Sequence, residues 1–240
     1  MSSYITEKAL RPYDIFISVK VKDKYGIANI NTLSKRAFIG ISICSHLFSK
    51  DNLSKICFWA SNCFEEFLIL IADEPQAYSF MSFKGENYSE ALKKAKRIGE
   101  EKKTSILRVI DSLDIDNIRI IRWGTLEKSK LYNMVEKLIF NCYYKEKRFK
   151  QDVLYHVKQR KILWSNGISN SEEFDYETAS KYVLKEISAM VYLLEYSKPC
   201  FSIQIFPLEI PKPLLGLYKK KYCSKISLSP TKSGYMHIII

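Results

Sequence analysis

Ala37-Phe38-Ile39-Gly40-Ile41, closed by Ser42, is the stretch on which the fold turns. An uncharged apolar run this short, bounded by Arg36 and Ser42, matches a strand covered on both faces. Its companion, Leu68-Ile69-Leu70-Ile71, leads into Ala72-Asp73-Glu74-Pro75, where the proline stops it. Between the two, Leu53, Ile56, Cys57, Ala60, Cys63, Phe64 and Phe67 recur at i, i+3, i+4 spacing and predict one amphipathic helix. Strand, helix, strand in this order calls for a parallel sheet with right-handed crossovers.

Outward from this unit the same reading continues. Ile15, Ile17, Val19 and Val21 alternate with other positions, which predicts a half-buried strand near a sheet edge over Tyr13 to Val21. A basic helix is expected from about Ser89 to Leu113, then a strand through Ile118, Ile120 and Ile121. Two or three helices fill Lys130 to Trp164, and another runs from after Asp175 to about Tyr196. The strands Phe201 to Phe206 and Met236 to Ile240 close the sheet. The expected architecture is α/β: a Rossmann-like three-layer sandwich with a mostly parallel sheet. No repeat, low-complexity tract or linker divides the 240 residues, so a single domain over 1–240 is expected. In such sheets ligands sit beyond the carboxyl ends of the strands, where Ser42 stands.

Composition narrows the partners. Lysine and arginine number 38 against 26 aspartates and glutamates, a net charge of +12. That imbalance stores self-repulsion, which a polyanion relieves, and nucleic acid is the commonest polyanion. No apolar run is long enough to span a bilayer, and Met1 to Leu10 lacks the pattern of a secretory signal, so a cytoplasmic location without a membrane is expected. The six cysteines form no C-x-x-C pair and have no histidine at ligand spacing. They read as reduced core residues without a metal.

Three groups of residues could carry chemistry. Gly40 stands two residues before Ser42, which lets a substrate approach the backbone and presents the hydroxyl at the sheet rim for attack on an ester. A hydrolase elbow, G-x-S-x-G, is the rival, but Cys44 replaces its second glycine, and His46, His156 and His237 have no recognisable carboxylate context. Tyr182 and Glu186, four apart on a helix, share a face and can hold an ammonium group and accept a proton from it. Lys93, Lys94, Lys96 and Arg97, followed by Lys102 and Lys103, load one helix with charge suited to phosphates. Further basic clusters, among them Lys158, Arg160 and Lys161, read as solvated surface. A serine hydrolase of small esters and a non-catalytic RNA-binding module therefore stand as alternatives to an acyl-transfer enzyme.

These segments together resemble the cyclodipeptide synthases. The likeness rests on Ala37-Phe38-Ile39-Gly40-Ile41-Ser42 followed by Leu47-Phe48-Ser49, then Trp59, Phe64 and the strand ending at Asp73, then the basic helix. It resumes at Tyr182-Val183-Leu184-Lys185-Glu186, similar to the family's Y-x-L-x-E helix, and extends over most of Arg36 to Pro213. It implies a fold like the catalytic domain of class I aminoacyl-tRNA synthetases of the tyrosyl and tryptophanyl type. Their HIGH and KMSKS strings are absent here, in keeping with amino acids that arrive already activated, without ATP or another cofactor. By the resemblance Ser42 is the nucleophile that accepts an aminoacyl group, while Tyr182 and Glu186 position the amine. Gly40, Ser45, Leu70, Phe206 and Pro207 would contact substrate. The basic helix would hold transfer RNA, two aminoacyl-tRNAs would be used per diketopiperazine, and the enzyme would be a monomer. The chain departs from the family at two places. Ser45 stands where one branch has asparagine, and Phe206-Pro207 stands where the other has Tyr-Pro.

Overall fold

The computed structural model describes residues 4–5, 18–20, 36–164, 174–206, 211–226, 228 and 234–239. Its centre is β3 (Arg36–Ser42), paired in parallel with β4 (Glu66–Ala72) on one side and β6 (Ile203–Phe206) on the other. Beyond β4 lies β5 (Ile118–Arg122), and beyond β6 lies β7 (Gly234–Ile239), both also parallel. Two short strands, β2 (Ser18–Lys20) and β1 (Tyr4–Ile5), extend the β7 edge antiparallel, giving the order β1-β2-β7-β6-β3-β4-β5. The mostly parallel sheet is as expected. Of the strand read over Tyr13 to Val21, only 18–20 lie within the described residues.

Period-two alternation assigns the strand residues to two cores, one on each face. Ala37, Ile39 and Ile41 pack with Phe67, Ile69 and Ile71 against α1 (Lys50–Cys63) and α3 (Tyr88–Ser112). Phe38, Leu68, Leu70 and Phe206 face the other way, towards α5 (Lys130–Lys145), α6 (Lys147–Trp164) and α7 (Tyr176–Val191). Helix, sheet, helix is the three-layer sandwich. Asp175 caps α7 by accepting from the Thr178 amide at 3.0 Å, and α7 runs on into a π-helical turn, Tyr192–Tyr196.

Several local readings are corrected. The first helix stops at Cys63, and Phe67 belongs to β4. Phe64 is already extended, and the Asn117 amide donates to the carbonyls of Ser61 at 2.9 Å and Phe64 at 2.8 Å, which closes the helix end. Three helices have no counterpart in the periodicity: α2 (Gln76–Lys84), α4 (Trp123–Glu127) and α8 (Lys212–Tyr218). Helix α2 touches both cores, Ala77 one and Tyr78 and Phe83 the other, so its apolar residues surround it rather than forming a stripe. The cysteines are not all reduced, since Cys142 and Cys223 form a disulfide with Cα atoms 5.7 Å apart. A separation of 81 residues leaves no short spacing to betray it. Cys44 and Cys200 are exposed rather than core residues.

The loop after β4 is pinned by a buried carboxylate. Asp73 is inaccessible to solvent and accepts from the Arg122 Nε at 2.6 Å and the Trp123 amide at 3.2 Å. Helix α3 passes this point at Gly99, where an added Cβ would lie 2.5 Å from the Asp73 Cβ. Gly99→Ala must therefore push α3 off the β4 loop. A loss of roughly 1–3 kcal/mol in urea-unfolding free energy is expected, the usual cost of overpacking. Unchanged stability would mean that the contact yields freely.

On α6, burial and the neighbouring Arg160 charge push the His156 imidazole down to about 3 from its usual value near 6.5. Its Nε2 is buried with no hydrogen-bond partner among the described residues, so the folded chain holds the ring neutral. The unfolded chain binds a proton below about 6.5 that the folded one refuses, so this site's contribution to stability falls as pH drops from 6.5 towards 3. Between pH 7 and pH 5 the loss should reach at most about 2 kcal/mol. His156→Asn should flatten that part of the profile. Parallel profiles for the two proteins would refute the assignment.

Candidate active site

Ser42 is the last residue of β3, at the carboxyl end of the central strand. It lies on the Phe38 and Gly40 side of the strand, facing α7. Its hydroxyl donates to the Gln76 Oε1 at 3.3 Å, and Gln76 itself is buried at the start of α2. Gln76 reaches Ser42 because the β4 loop ends beside the β3 end, with Ala72 in register with Ser42.

From the other side comes α7. Tyr182 is fully buried and its hydroxyl donates to the Glu186 Oε1 at 2.7 Å, so it can only accept from Ser42, whose single proton is shared between Tyr182 and Gln76. Four residues separate Tyr182 from Glu186, so the helix aligns phenol and carboxylate on one face. The other Glu186 oxygen lies 3.6 Å from an Arg160 guanidinium nitrogen on α6, and Arg160 also hydrogen-bonds Tyr182. The result is a connected row of Ser42, Tyr182, Glu186 and Arg160. Burial, then the Glu186 charge, raises the Tyr182 phenol well above its ordinary value, so it stays protonated at neutral pH. Burial alone would depress Arg160, but the Glu186 charge and the Tyr182 contact outweigh it and keep the cation. One protonated phenol thus bridges an alcohol and a paired carboxylate.

The same helix is anchored by Lys185, whose ammonium donates to Glu127 at 2.9 Å and Glu136 at 2.8 Å. Burial opposes its charge, yet the two carboxylates raise it above the ordinary lysine value. These bonds tie α7 to α4 and α5 and set its rotation.

Among the substrate-contact candidates, Gly40 lies one step down β3 on the Ser42 face, and a Cβ built there meets no atom within 4 Å. The space beside it is open. Leu70 is in register with Gly40 on β4, and Phe206 ends β6 on the same face. The Ser45 hydroxyl accepts from the Leu47 amide at 3.3 Å and caps the 3-10 turn His46–Phe48. Pro207 lies outside the described residues.

The basic residues all fall on α3, where most are already engaged. Lys94 pairs with Glu86 at 2.9 Å, Lys96 with Glu74 at 3.3 Å and Arg97 with Glu101 at 2.6 Å. The Lys102 ammonium donates to the Phe48 carbonyl at 2.9 Å, and partial burial lowers its pKa. Lys93 is exposed and Lys103 half-buried. A separate open depression at the ends of β4 and β5, lined by Glu74, Lys96, Arg122 and Lys128, does not include Ser42.

Two site residues escape the sequence reading. Arg160 is assigned there to a solvated cluster, yet Phe149, Val153 and Val157 form the buried stripe of α6 and Arg160 continues it at i+3. A charge on a buried stripe was the available signal. Gln76 carries no such signal, because only the β3–β4 register brings it to Ser42. The hydrogen-bond partners of Ser42 among the described residues are Gln76 and Tyr182.

No curated protein matches the sequence. Among solved structures, a cyclodipeptide synthase from Bacillus thermoamylovorans superposes with a TM-score of 0.74 at 16% identity, over 93% of this chain and 95% of that one. A cyclodipeptide synthase from Candidatus Glomeribacter gigasporarum, solved bound to Phe-tRNAPhe, gives 0.57 at 17% identity, over 84% and 86%. A tyrosyl-tRNA synthetase from Archaeoglobus fulgidus gives 0.51 at 13% identity, over 87% of this chain and 56% of that one. At such identities the likeness carries the fold, which is the Rossmann-like fold these proteins share. The profile named Cyclodipeptide synthase matches residues 27–193, more than half of the sequence. The chain belongs to the cyclodipeptide synthase family.

Proposed function

We propose that this protein joins two aminoacyl groups, each delivered as a transfer-RNA ester, into a 2,5-diketopiperazine through covalent intermediates on Ser42. The carrying observation is the Ser42 hydroxyl at the end of β3, hydrogen-bonded to a buried phenol beside the open space at Gly40. Family membership supplies the substrate class, and the relative solved with Phe-tRNAPhe supports it.

In the first step the Ser42 oxygen bonds to the ester carbonyl carbon, and the bond from that carbon to the ribose oxygen breaks. The serine proton leaves with the ribose hydroxyl. The Ser42-bound aminoacyl group then sets its amine near Tyr182 and Glu186. Glu186 holds it as the ammonium and takes a proton as the amine becomes nucleophilic. The amine attacks the second aminoacyl ester, forming an amide and releasing the second RNA. Finally the dipeptide's free amine attacks the Ser42 ester, closing the ring and returning a proton to the Ser42 oxygen. The RNA esters carry the free energy for both amides, so no ATP is needed. Phe206 offers no hydroxyl, which leaves Tyr182 as the phenol of the relay.

Tyr182 is a protonated donor and bridge, not a base. Tyr182→Phe should therefore lower diketopiperazine formation by about 100-fold or more while leaving the fold intact. Ser42→Ala should abolish both product and the aminoacyl adduct visible by intact-protein mass spectrometry. Product formation by Ser42→Ala at the wild-type rate would defeat the covalent route.

Helix α3 would hold transfer RNA by its phosphates. Exposed ion pairs such as Arg97–Glu101 contribute little and exchange readily for phosphate contacts. Lys93→Glu combined with Arg97→Glu should weaken binding of charged transfer RNA and flatten its salt dependence by about two counterions. Filter binding across a salt series checks this, and an unaltered slope would place the RNA elsewhere.

A further inference from the structure

On the sheet face that carries Gly40 and Ser42, one buried side-chain oxygen has no hydrogen-bond partner among the described residues. Gln204 sits on β6, in register with Phe38 of β3, and is 1% exposed. Its neighbours Ile203 and Ile205 pack into the α1–α3 core, so Gln204 points to the opposite face, the one that carries Gly40 and Ser42. There its Oε1 is buried and has no hydrogen-bond partner among the described residues. A buried amide oxygen without a donor is costly, and a substrate that brings the donor would relieve that cost.

Building on the acyl-transfer reading, we infer that Gln204 selects a Ser42-bound amino acid whose long, uncharged side chain ends in an N–H or O–H donor. Three constraints set this chemistry. Successive residues of a strand rise about 3.3 Å, so the Gln204 level lies about 13 Å along the sheet from Ser42. Only a side chain with its donor at the far end spans the part of that distance the glutamine does not cover. Gly40 leaves the route clear, since even a methyl there would meet nothing within 4 Å. The flanking side chains Phe38, Leu70 and Phe206 are apolar. They would strip water from a lysine or arginine head and give it no counter-charge. Apolar walls with one terminal acceptor suit the tyrosine phenol and the tryptophan indole best.

A site built around such an acceptor rejects the analogue lacking the donor, because the amide oxygen is then left unpaired in a dry pocket. A small side chain would leave the depth of the pocket empty as well.

The test supplies the full-length protein with transfer RNA charged with all amino acids and identifies the diketopiperazines by mass spectrometry. Each product should contain at least one donor-bearing residue of this class. In direct competition, tyrosyl- or tryptophanyl-tRNA should be preferred over phenylalanyl-tRNA by roughly tenfold to a hundredfold. Gln204→Leu, of similar volume without the acceptor, should bring that ratio to about unity or invert it. Products built only from leucine, methionine, valine or phenylalanine, or a preference unmoved by Gln204→Leu, would overturn the inference and leave the Ser42 chemistry standing. Absence of both product and aminoacyl adduct in the wild-type protein would overturn the two together. Should Gln204→Leu fail to fold by circular dichroism, the wild-type products and the wild-type competition ratio decide alone.

Discussion

The parallel pairing of β3 between β4 and β6 is the constraint on which the site depends. Side chains alternate strictly along a strand, so register decides which core each residue joins. With Ser42 opposite Ala72 and Gly40 opposite Leu70, the hydroxyl and the glycine face α7 while Ile39 and Ile41 close the other core. A slip of one residue would bury the Ser42 hydroxyl among the α1 and α3 apolar side chains and put a bulky isoleucine where the open space beside Gly40 now lies. The register is held by that asymmetry, since every inward position of the α1–α3 face on β3 and β4 is apolar.

The second requirement is electrostatic. Helix α7 carries Lys185 and Glu186 into a packed layer, where isolated charges are expensive. Each is met by an opposite charge from another helix: Lys185 by Glu127 and Glu136, Glu186 by Arg160. The two pairings pull on adjacent residues and come from different directions, α4 and α5 for one and α6 for the other. Together they allow one rotation of α7 about its axis, and that rotation aims Tyr182 at Ser42. Removing Arg160 would leave the Glu186 charge without that partner in the interior, so the ion pairs specify orientation more than they add stability.

Much of this was legible in the sequence, and what was not has definite causes. The apolar runs at Ala37 to Ile41 and Leu68 to Ile71 announce covered parallel strands, and the four-residue step from Tyr182 to Glu186 places both on one helix face. The end of α1 is not legible because Phe67 keeps the helical rhythm while its backbone is already in β4. Helix α2 was invisible because it lies between two cores and has no polar stripe. The capping bond of Ser45 to the Leu47 amide, in the turn after Ser42, is a local contact that the family likeness does not announce. Gln76 and the Cys142–Cys223 disulfide depend on contacts between segments distant in sequence, which periodicity cannot express.

The basic helix and the loops around Ser42 are mechanically joined, which net charge alone could not indicate. Lys102 does not point to solvent; its ammonium holds the Phe48 carbonyl at the end of the 3-10 turn that follows Ser42. Near the same point on the sheet rim, Gly99 brings α3 against Asp73, whose carboxylate fixes the loop leading to Gln76. Helix α3 thus braces both loops that flank the Ser42 hydroxyl, with Lys93 and Arg97 on its outer surface. A phosphate backbone drawn to that surface would dock on a rigid element already braced against the loops around Ser42. The distance from such a phosphate to the serine would then be set by a helix and two loop contacts. On the proposed reading, in which transfer RNA docks on α3, that bracing would convert non-specific charge attraction into placement of a single carbonyl.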